Sequence, residues 1–404
     1  MLEPLRDPRY RLLWLTGLFA ATARWMDLVV LGWLALALTD SPLMVGVAAF
    51  CRTAPMMLVG PFAGVLADRL PRVRVMIGVQ ALNVVVASTL ALLFAAGLAG
   101  FGILVALEIL LGVAWVLDFP SRRTVLFAVV GRERLTTAVS LESMSMQGAK
   151  MIGPLVGGIL LSRVGPAACY VALAVLSLGA LAAAHRLDRR IALPGAPGGE
   201  PVLASLTAGL REVRGRPVIL GVLAVTVLMN ALVFPYQQIL PVFARDVLQV
   251  GPVALGLLVA AEGLGALASS LAIAARAAHV NHARLFAASS LAAALFLLAF
   301  AASPWYALSL ALQFAIGAAE SGFGTMQSAI VLLNAPERAR GRAMGILSAC
   351  IGTQPLGSLW IGFLASGTGA PLATGLNAGL AFVLMIPVAI RLVASAATAA
   401  RRPA

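Results

Sequence analysis

The stretch Gly64-Val-Leu-Ala-Asp-Arg-Leu-Pro-Arg-Val-Arg74 packs Asp68, Arg69, Arg72 and Arg74 into a short tie between two long apolar runs. Only 11% of the chain is charged, so this density of ionic groups needs a reason. Two readings are open. The loop is a solvated tie that keeps two membrane helices on the correct side, or a gate. As a gate, Asp68 and the arginines hold helix ends together in one conformation and release them in another.

The flanking runs decide the fold class. The chain has 404 residues, is 61% hydrophobic and has a mean hydropathy of +0.98. Soluble domains are nearer half apolar, with about a quarter of their residues charged, so a water-soluble globule is excluded. Crossing a hydrocarbon core of roughly 30 Å takes about 20 apolar residues per helix. Only helices and closed barrels satisfy their backbone in lipid, and these runs are continuous rather than alternating, which means helices. Apolar spans fall at 12–38, 43–67, 74–97, 101–120, 138–162 and 166–186, then at 217–243, 253–276, 283–302, 305–332, 343–366 and 371–393. An all-α membrane protein of twelve transmembrane helices is expected.

The net charge of +13 is divided into short clusters between apolar runs, with no continuous patch to meet nucleic acid. Of 29 Lys+Arg, three (Arg24, Arg52, Lys150) lie deep inside spans and two (Arg163, Arg245) on odd-numbered connections. The other 24 fall at the termini, at even-numbered connections or at the span ends adjoining them. By the positive-inside rule both termini are expected in the cytoplasm. The basic start, Arg6, Arg9 and Arg11, leads into a span of over 20 residues with no small-residue cleavage site, which reads as a retained first helix. Cys51, Cys169 and Cys350 lie far apart, and His185, His279 and His282 sit at helix ends, so neither a disulfide framework nor a metal site is expected.

The second half of the chain repeats the first. Gly148, Gly153 and Gly158 map onto Gly352, Gly357 and Gly362, and a nearby offset maps Pro42 and Gly46 onto Pro252 and Gly256. Six spans separate the copies, so they insert in the same sense, as in transporters with parallel repeats. Two pseudo-symmetric six-helix halves, 1–186 and 217–404, flank a cytoplasmic linker at 187–216. There Leu193-Pro-Gly-Ala-Pro-Gly-Gly199 breaks any helix. Leu203, Leu206, Leu210 and Val213 then recur at helical spacing, predicting either a short amphipathic helix on the membrane face or a soluble linker helix.

The loop, the twelve spans, the duplicated halves and the linker together resemble the major facilitator superfamily over the whole chain. Gly64, Asp68, Arg69 and Arg72 match the family's loop signature, although Pro71 stands where the family usually has glycine. Thr39-Asp-Ser-Pro42, Phe234-Pro-Tyr-Gln-Gln-Ile-Leu-Pro241 and Ala261-Glu-Gly-Leu-Gly265 are similar to the drug- and siderophore-exporting branch. In span 5, Gly148-x-x-x-x-Gly153-Pro154-x-x-Gly157-Gly158 resembles the motif the family associates with export by antiport. Its glycines also allow ordinary close helix packing, and Pro154 removes a backbone hydrogen bond and bends the helix. The resemblance implies secondary transport across a bacterial inner membrane, with membrane lipids, protons and a small molecule as partners. It further implies a proton gradient in place of any cofactor. A monomer is expected, and no enzyme motif is present.

Charged groups inside a bilayer cost about 2.5–3.5 kcal/mol each on insertion scales, and they usually pair, face the interior or serve function. Here they are Arg24, Asp27, Arg52, Glu108, Lys150, Glu262 and Glu320. Arg24 and Asp27, three apart, are expected to pair on one helix face. Three cations against four carboxylates leave some acid without its own partner, and such an acid tends to hold its proton. Asp27 or Glu108, and secondarily Glu320, is therefore a candidate proton carrier, with a structural ion network as the alternative. Gln313, Glu320, Gln327 and Asn334 recur every seven residues and keep to one slowly drifting face. Glu320 and Gln327 are expected to line a cavity, and Asn334 to cap the helix. Around Pro235, the residues Asn230, Phe234, Tyr236, Gln237 and Gln238 either meet a ligand or pack the bundle. Asp118, at the end of span 4, is expected to reach Arg69 or Arg72 and, with Asp68, to form a cytoplasmic latch. Export of a drug, macrolide or siderophore by proton antiport is the expected activity. The alternatives are nutrient import by proton symport and lipid flipping.

Overall fold

The structure, a computed structural model, describes residues 3–58, 71–188, 214–276, 281–336 and 340–400. Gly64, Asp68 and Arg69, and the linker helix expected after residue 199, lie outside the described residues.

Asp7 starts the first helix, its carboxylate accepting from the Arg9 backbone N–H at 2.8 Å. Pro8 follows at the first helical position, where its missing N–H costs nothing. Partial burial works against the charge on Asp7, but hydrogen bonds from the Arg9 side chain and backbone hold the carboxyl below its usual range. Helix α1 (Pro8–Thr39) ends at Asp40, whose φ of 51° is left-handed. Then come α2 (Pro42–Leu58) and α3 (Arg72–Ala95). The 63-residue stretch Phe101–Arg163 turns at Gly131, with φ 67° and ψ −178°, outside helical space. A side chain there would be strained. The kink divides the stretch into α4 (Phe101–Gly131) and α5 (132–163). Helix α6 (Pro166–Asp188) completes the first six.

Helix α7 (Pro217–Val247) is irregular. Regular helix over Pro217–Leu228 passes into a π turn at Met229–Val233, a 3-10 stretch at Phe234–Ile239 and a second π turn at Phe243–Val247. Pro235 and Pro241 fall in the irregular part, and each removes a donor from the helical ladder. Next are α8 (Pro252–Ala275), α9 (His282–Ala301) and α10 (Tyr306–Asn334). Helix α11 is in two pieces, Arg340–Ile351 and Gln354–Thr368, and α12 is Ala370–Ala400. Among the described residues, nine helices are long and apolar enough to cross a membrane, and Pro42–Leu58 is a shorter apolar one. Several helices outrun the expected spans: α4 continues to Gly131 and α12 to Ala400.

The chain divides into two compact units, Met1–Gly199 with Val250–Ala260, and Glu200–Gln249 with Ala261–Ala404. Lipid offers no hydrophobic force to press helices together, so close approach over small residues does that work. In the first unit a Cβ on Gly112 of α4 would collide with the Arg52 carbonyl of α2, and one on Gly153 of α5 would sit 2.7 Å from the Thr22 carbonyl of α1. In the second unit the repeat places Gly317 of α10 on the Glu262 carbonyl of α8, and Gly357 of α11 on the Ala231 carbonyl of α7. The Ala231 carbonyl is the one freed by Pro235, four residues on. Tyr10, Leu13, Val73, Met76, Val125 and Leu141 form one buried hydrophobic cluster in the first unit, and the Tyr10 hydroxyl donates to the Ala138 carbonyl at 3.0 Å.

Candidate functional site

In the first unit the charged groups converge on Arg52. Its Nη1 meets Asp27 Oδ2 of α1 and Glu108 Oε2 of α4. Both acids are buried, at 2% and 0% exposure. Asp27 Oδ1 and Glu108 Oε1 are buried without a hydrogen-bond partner among the described residues. The expected Arg24–Asp27 pair does not form. Residue 27 points to α2, where Arg52 takes its oxygen, while Arg24 lays its guanidinium 3.5 Å from the centre of the Trp115 ring on α4. A guanidinium on an indole face is attracted by the ring quadrupole. Lys150 is placed 4.9 Å from the centre of the Trp25 ring.

Asp118 is a second correction. Because α4 runs on to Gly131, Asp118 is not at a helix end but buried inside the bundle, 2% exposed. One oxygen accepts from Gln80 of α3 at 3.5 Å, and the other is 3.6 Å from Arg122, one turn along α4. Arg122 in turn lies 3.6 Å from Glu142 of α5. Asp118 makes its ion pair with Arg122 and not with Arg72, and the other expected partner, Arg69, lies outside the described residues.

The span-5 motif is a packing seam along most of its length. Gly153 and Gly157 receive α1 at Thr22 and Met26, Gly158 receives the carbonyl of Pro252 at the start of α8, and Gly256 of α8 sits on the Pro154 carbonyl. Gly148 has no heavy atom within 4 Å of where a Cβ would stand.

In the second unit the centre is an amide. Gln237 Nε2, on the 3-10 stretch of α7, donates to Glu262 Oε1 of α8 at 2.7 Å and to Glu320 Oε2 of α10 at 3.4 Å. Tyr236, fully buried, donates its hydroxyl to Gln313 Oε1 at 2.8 Å. Phe234 meets Phe323 edge-on at 5.6 Å. Tyr236 and Phe234 therefore pack the bundle. Gln327 bridges α10 to α7 by donating to Thr226 Oγ1 at 2.6 Å. Asn230 donates to the Thr226 carbonyl at 2.9 Å. Asn334 ends α10, its carbonyl accepting from Arg216 at 2.7 Å. The Gln313 face is thus spent on helix bridging, because a buried amide in lipid must find a partner.

Sequence reasoning missed Trp115, Gln80, Asn83, Tyr170 and Arg122. Two of these carried signals: Gln80 and Asn83 are a polar pair at helical spacing in an apolar run, and Arg122 is four residues after Asp118. Trp115 and Tyr170 carried none, since aromatic residues in membrane helices are ordinary packing.

Comparison with known proteins agrees with this architecture. The family model described as transmembrane secretion effector matches residues 1–402. The multidrug efflux pump Tap of Mycolicibacterium fortuitum is 28% identical over 395 residues, covering 93% of each chain. The enterobactin exporter EntS of Escherichia coli is 27% identical over 272 residues, 66% of this chain and 64% of that one. A crystal structure of a POT family transporter in complex with 5-aminolevulinic acid superposes with a TM-score of 0.78 at 10% identity, covering 96% of each chain, which speaks to the fold. The chain therefore belongs to the transmembrane secretion effector family of the major facilitator superfamily, as a multi-pass membrane transporter and not an enzyme.

Proposed function

We propose that this protein exports a small amphipathic molecule from the bacterial cytoplasm across the inner membrane in exchange for protons, as a monomer working by alternating access. The observation that carries the proton reading is Arg52, one guanidinium shared by two buried carboxylates, each with an oxygen left unpartnered among the described residues. Two buried anions on one cation leave an excess negative charge, and an uncompensated buried charge is costly. A proton on either acid leaves one carboxylate facing one guanidinium. Loading and release of that proton is the event that transport would exchange against substrate.

The substrate is assigned to the second unit, around Gln237, Glu262 and Glu320. Support comes from α7, whose broken ladder frees backbone groups and presents an amide that can turn between two acids. The exporting direction and the drug or siderophore class rest on the relatives: one is named a multidrug efflux pump and others enterobactin exporters. The cytoplasmic termini rest on the placement of the basic residues.

The test is transport in everted vesicles energised by a pH gradient, with ethidium, a macrolide and a catecholate siderophore as probes. Wild-type protein should accumulate at least one probe and collapse on addition of a protonophore. Asp27→Asn and Glu108→Gln should each abolish the gradient dependence while leaving probe binding in place. Full proton-driven uptake in both variants would remove the Arg52 centre from coupling, and uptake in the opposite direction would favour symport.

A further inference from the structure

Within the first unit, α1, α2, α3, α4 and α6 line a partly open cavity of about 60 Å³ whose polar lining includes Arg24, Asp27, Gln80, Asn83, Asp118 and Tyr170. We propose that this cavity is a proton conduit, a short file of water that carries protons between Asp118 and the Asp27–Arg52–Glu108 centre. The proposal rests on the reading that this centre is the one that exchanges protons.

Size decides first what the cavity holds. A buried water needs about 10–15 Å³ of such volume and two to four polar partners, so there is room for about four. Pockets for drug-sized ligands run to roughly 300–1,000 Å³. The cavity fits water and not an amphipathic cargo. Its wall then shows where water is needed. Asp27 Oδ1 and the hydroxyl of Tyr170, itself fully buried, have no hydrogen-bond partner among the described residues. Each is a group that a membrane interior does not leave dry without cost.

The far end is built for relay. Asp118 is buried, and between it and the centre α3 offers two amides in series. Gln80 donates to Asp118 Oδ1 at 3.5 Å, and Asn83 donates to Gln80 Oε1 at 3.3 Å. Amides pass no protons themselves, but they hold donors and acceptors around which water chains form. The groups facing Asp27 are Arg24 of its own helix, Arg52 of α2, Glu108 of α4 and Cys169 and Tyr170 of α6, and Lys150 of α5 lies over neighbouring Trp25. Arg24 stands beside the file on the Trp115 ring and makes no ion pair among the described residues. A fixed positive charge on such a path raises a barrier to metal cations, whereas a proton can be handed between carboxylates. In the transfer Asp118 loses its O–H bond and returns to carboxylate, the water file shifts one proton along, and Asp27 gains the O–H bond and becomes neutral.

The test needs no substrate. Purified protein in lipid nanodiscs is subjected to a rapid pH jump, and the protonated carboxyl band of the Asp27/Glu108 pair is followed by time-resolved infrared absorption. The band is assigned with Asp27→Asn and Glu108→Gln. Asp118→Asn should slow its appearance about a hundredfold, the low end of what a positioned proton-transfer group contributes, with the final amplitude unchanged. Ala87→Leu, which adds bulk at the cavity wall without altering a charged group, should slow it as well. The conduit stands only if both variants are slowed at full amplitude. A wild-type rate in either one overturns it while leaving proton exchange at the Arg52 centre intact. Absence of any band from Asp27 or Glu108 in the wild type overturns both the conduit and the coupling reading.

Discussion

Arg52 and Glu262 occupy the same place in the two halves of the repeat and carry opposite charge. The carbonyl of each rests on a glycine of the neighbouring helix, Gly112 for Arg52 and Gly317 for Glu262. The side chain of each bonds the residue 25 positions earlier, Asp27 in one half and Gln237 in the other. Duplication kept the backbone seam and let the side chains diverge. The first half has an ion triad, and the second has one amide serving two acids.

Removing the cation from the triad should cost far more than removing a surface charge would. Arg52→Gln leaves Asp27 and Glu108 facing each other, and breaking a buried pair costs roughly 3–5 kcal/mol. Thermal unfolding in detergent, followed by tryptophan fluorescence, should show a large loss for Arg52→Gln. Adding Glu108→Gln to Arg52→Gln should recover part of it, because it removes one of the two stranded acids.

The glycine seams predict a contrast between substitutions of identical chemistry. Gly112→Ala and Gly317→Ala each drive a methyl into a carbonyl and should cost about 1–3 kcal/mol by overpacking. Gly148→Ala meets no heavy atom within 4 Å and should be neutral or stabilising by up to about 1 kcal/mol through helix propensity. Melting temperatures of the three variants check this directly.

Gln237 donates to both Glu262 and Glu320 in the second unit. Gln237→Leu should destabilise by about 2 kcal/mol, in the range of hydrogen bonds to charged groups. Gln237→Glu, which places a third carboxylate beside the two, should be worse. If the substrate meets this site, Gln237→Leu also changes the order of probe preference in the vesicle assay while the gradient dependence survives.

The cap of α1 carries a pH signature. Asp7→Ala should cost about 1 kcal/mol, the usual value for a lost N-cap. The folded-state pKa of Asp7 lies below its ordinary 3.8, so its contribution is fully present above that value and is lost as pH falls through the lowered one. Wild type and Asp7→Ala should therefore differ at neutral pH and converge in acid, measured by chemical or thermal unfolding across that range.

Much of the architecture was legible in the chain itself. Continuous apolar runs, basic connections and glycines at a constant offset are local or periodic properties, and in lipid a backbone of that composition has no choice but helix. The deep charges were legible one by one for the same reason. Their pairing was not. Arg24 and Asp27 are neighbours along one helix, yet Asp27 meets Arg52 and Arg24 meets Trp115. Asp118 looked like a helix end because the hydropathy falls after it, although the helix continues to Gly131. Which side chains share a partner depends on which faces of α1, α2, α3 and α4 are brought together. That is set by the depth of the glycine seams at Gly112 and Gly153, a packing property summed over several helices. Composition, helix number, repeat and the identity of the buried charges thus belong to the sequence alone. The Arg52 triad, the Gln237 bridge and the cavity between Asp27 and Asp118 exist only once the helices pack, because each is made of residues from at least three of them.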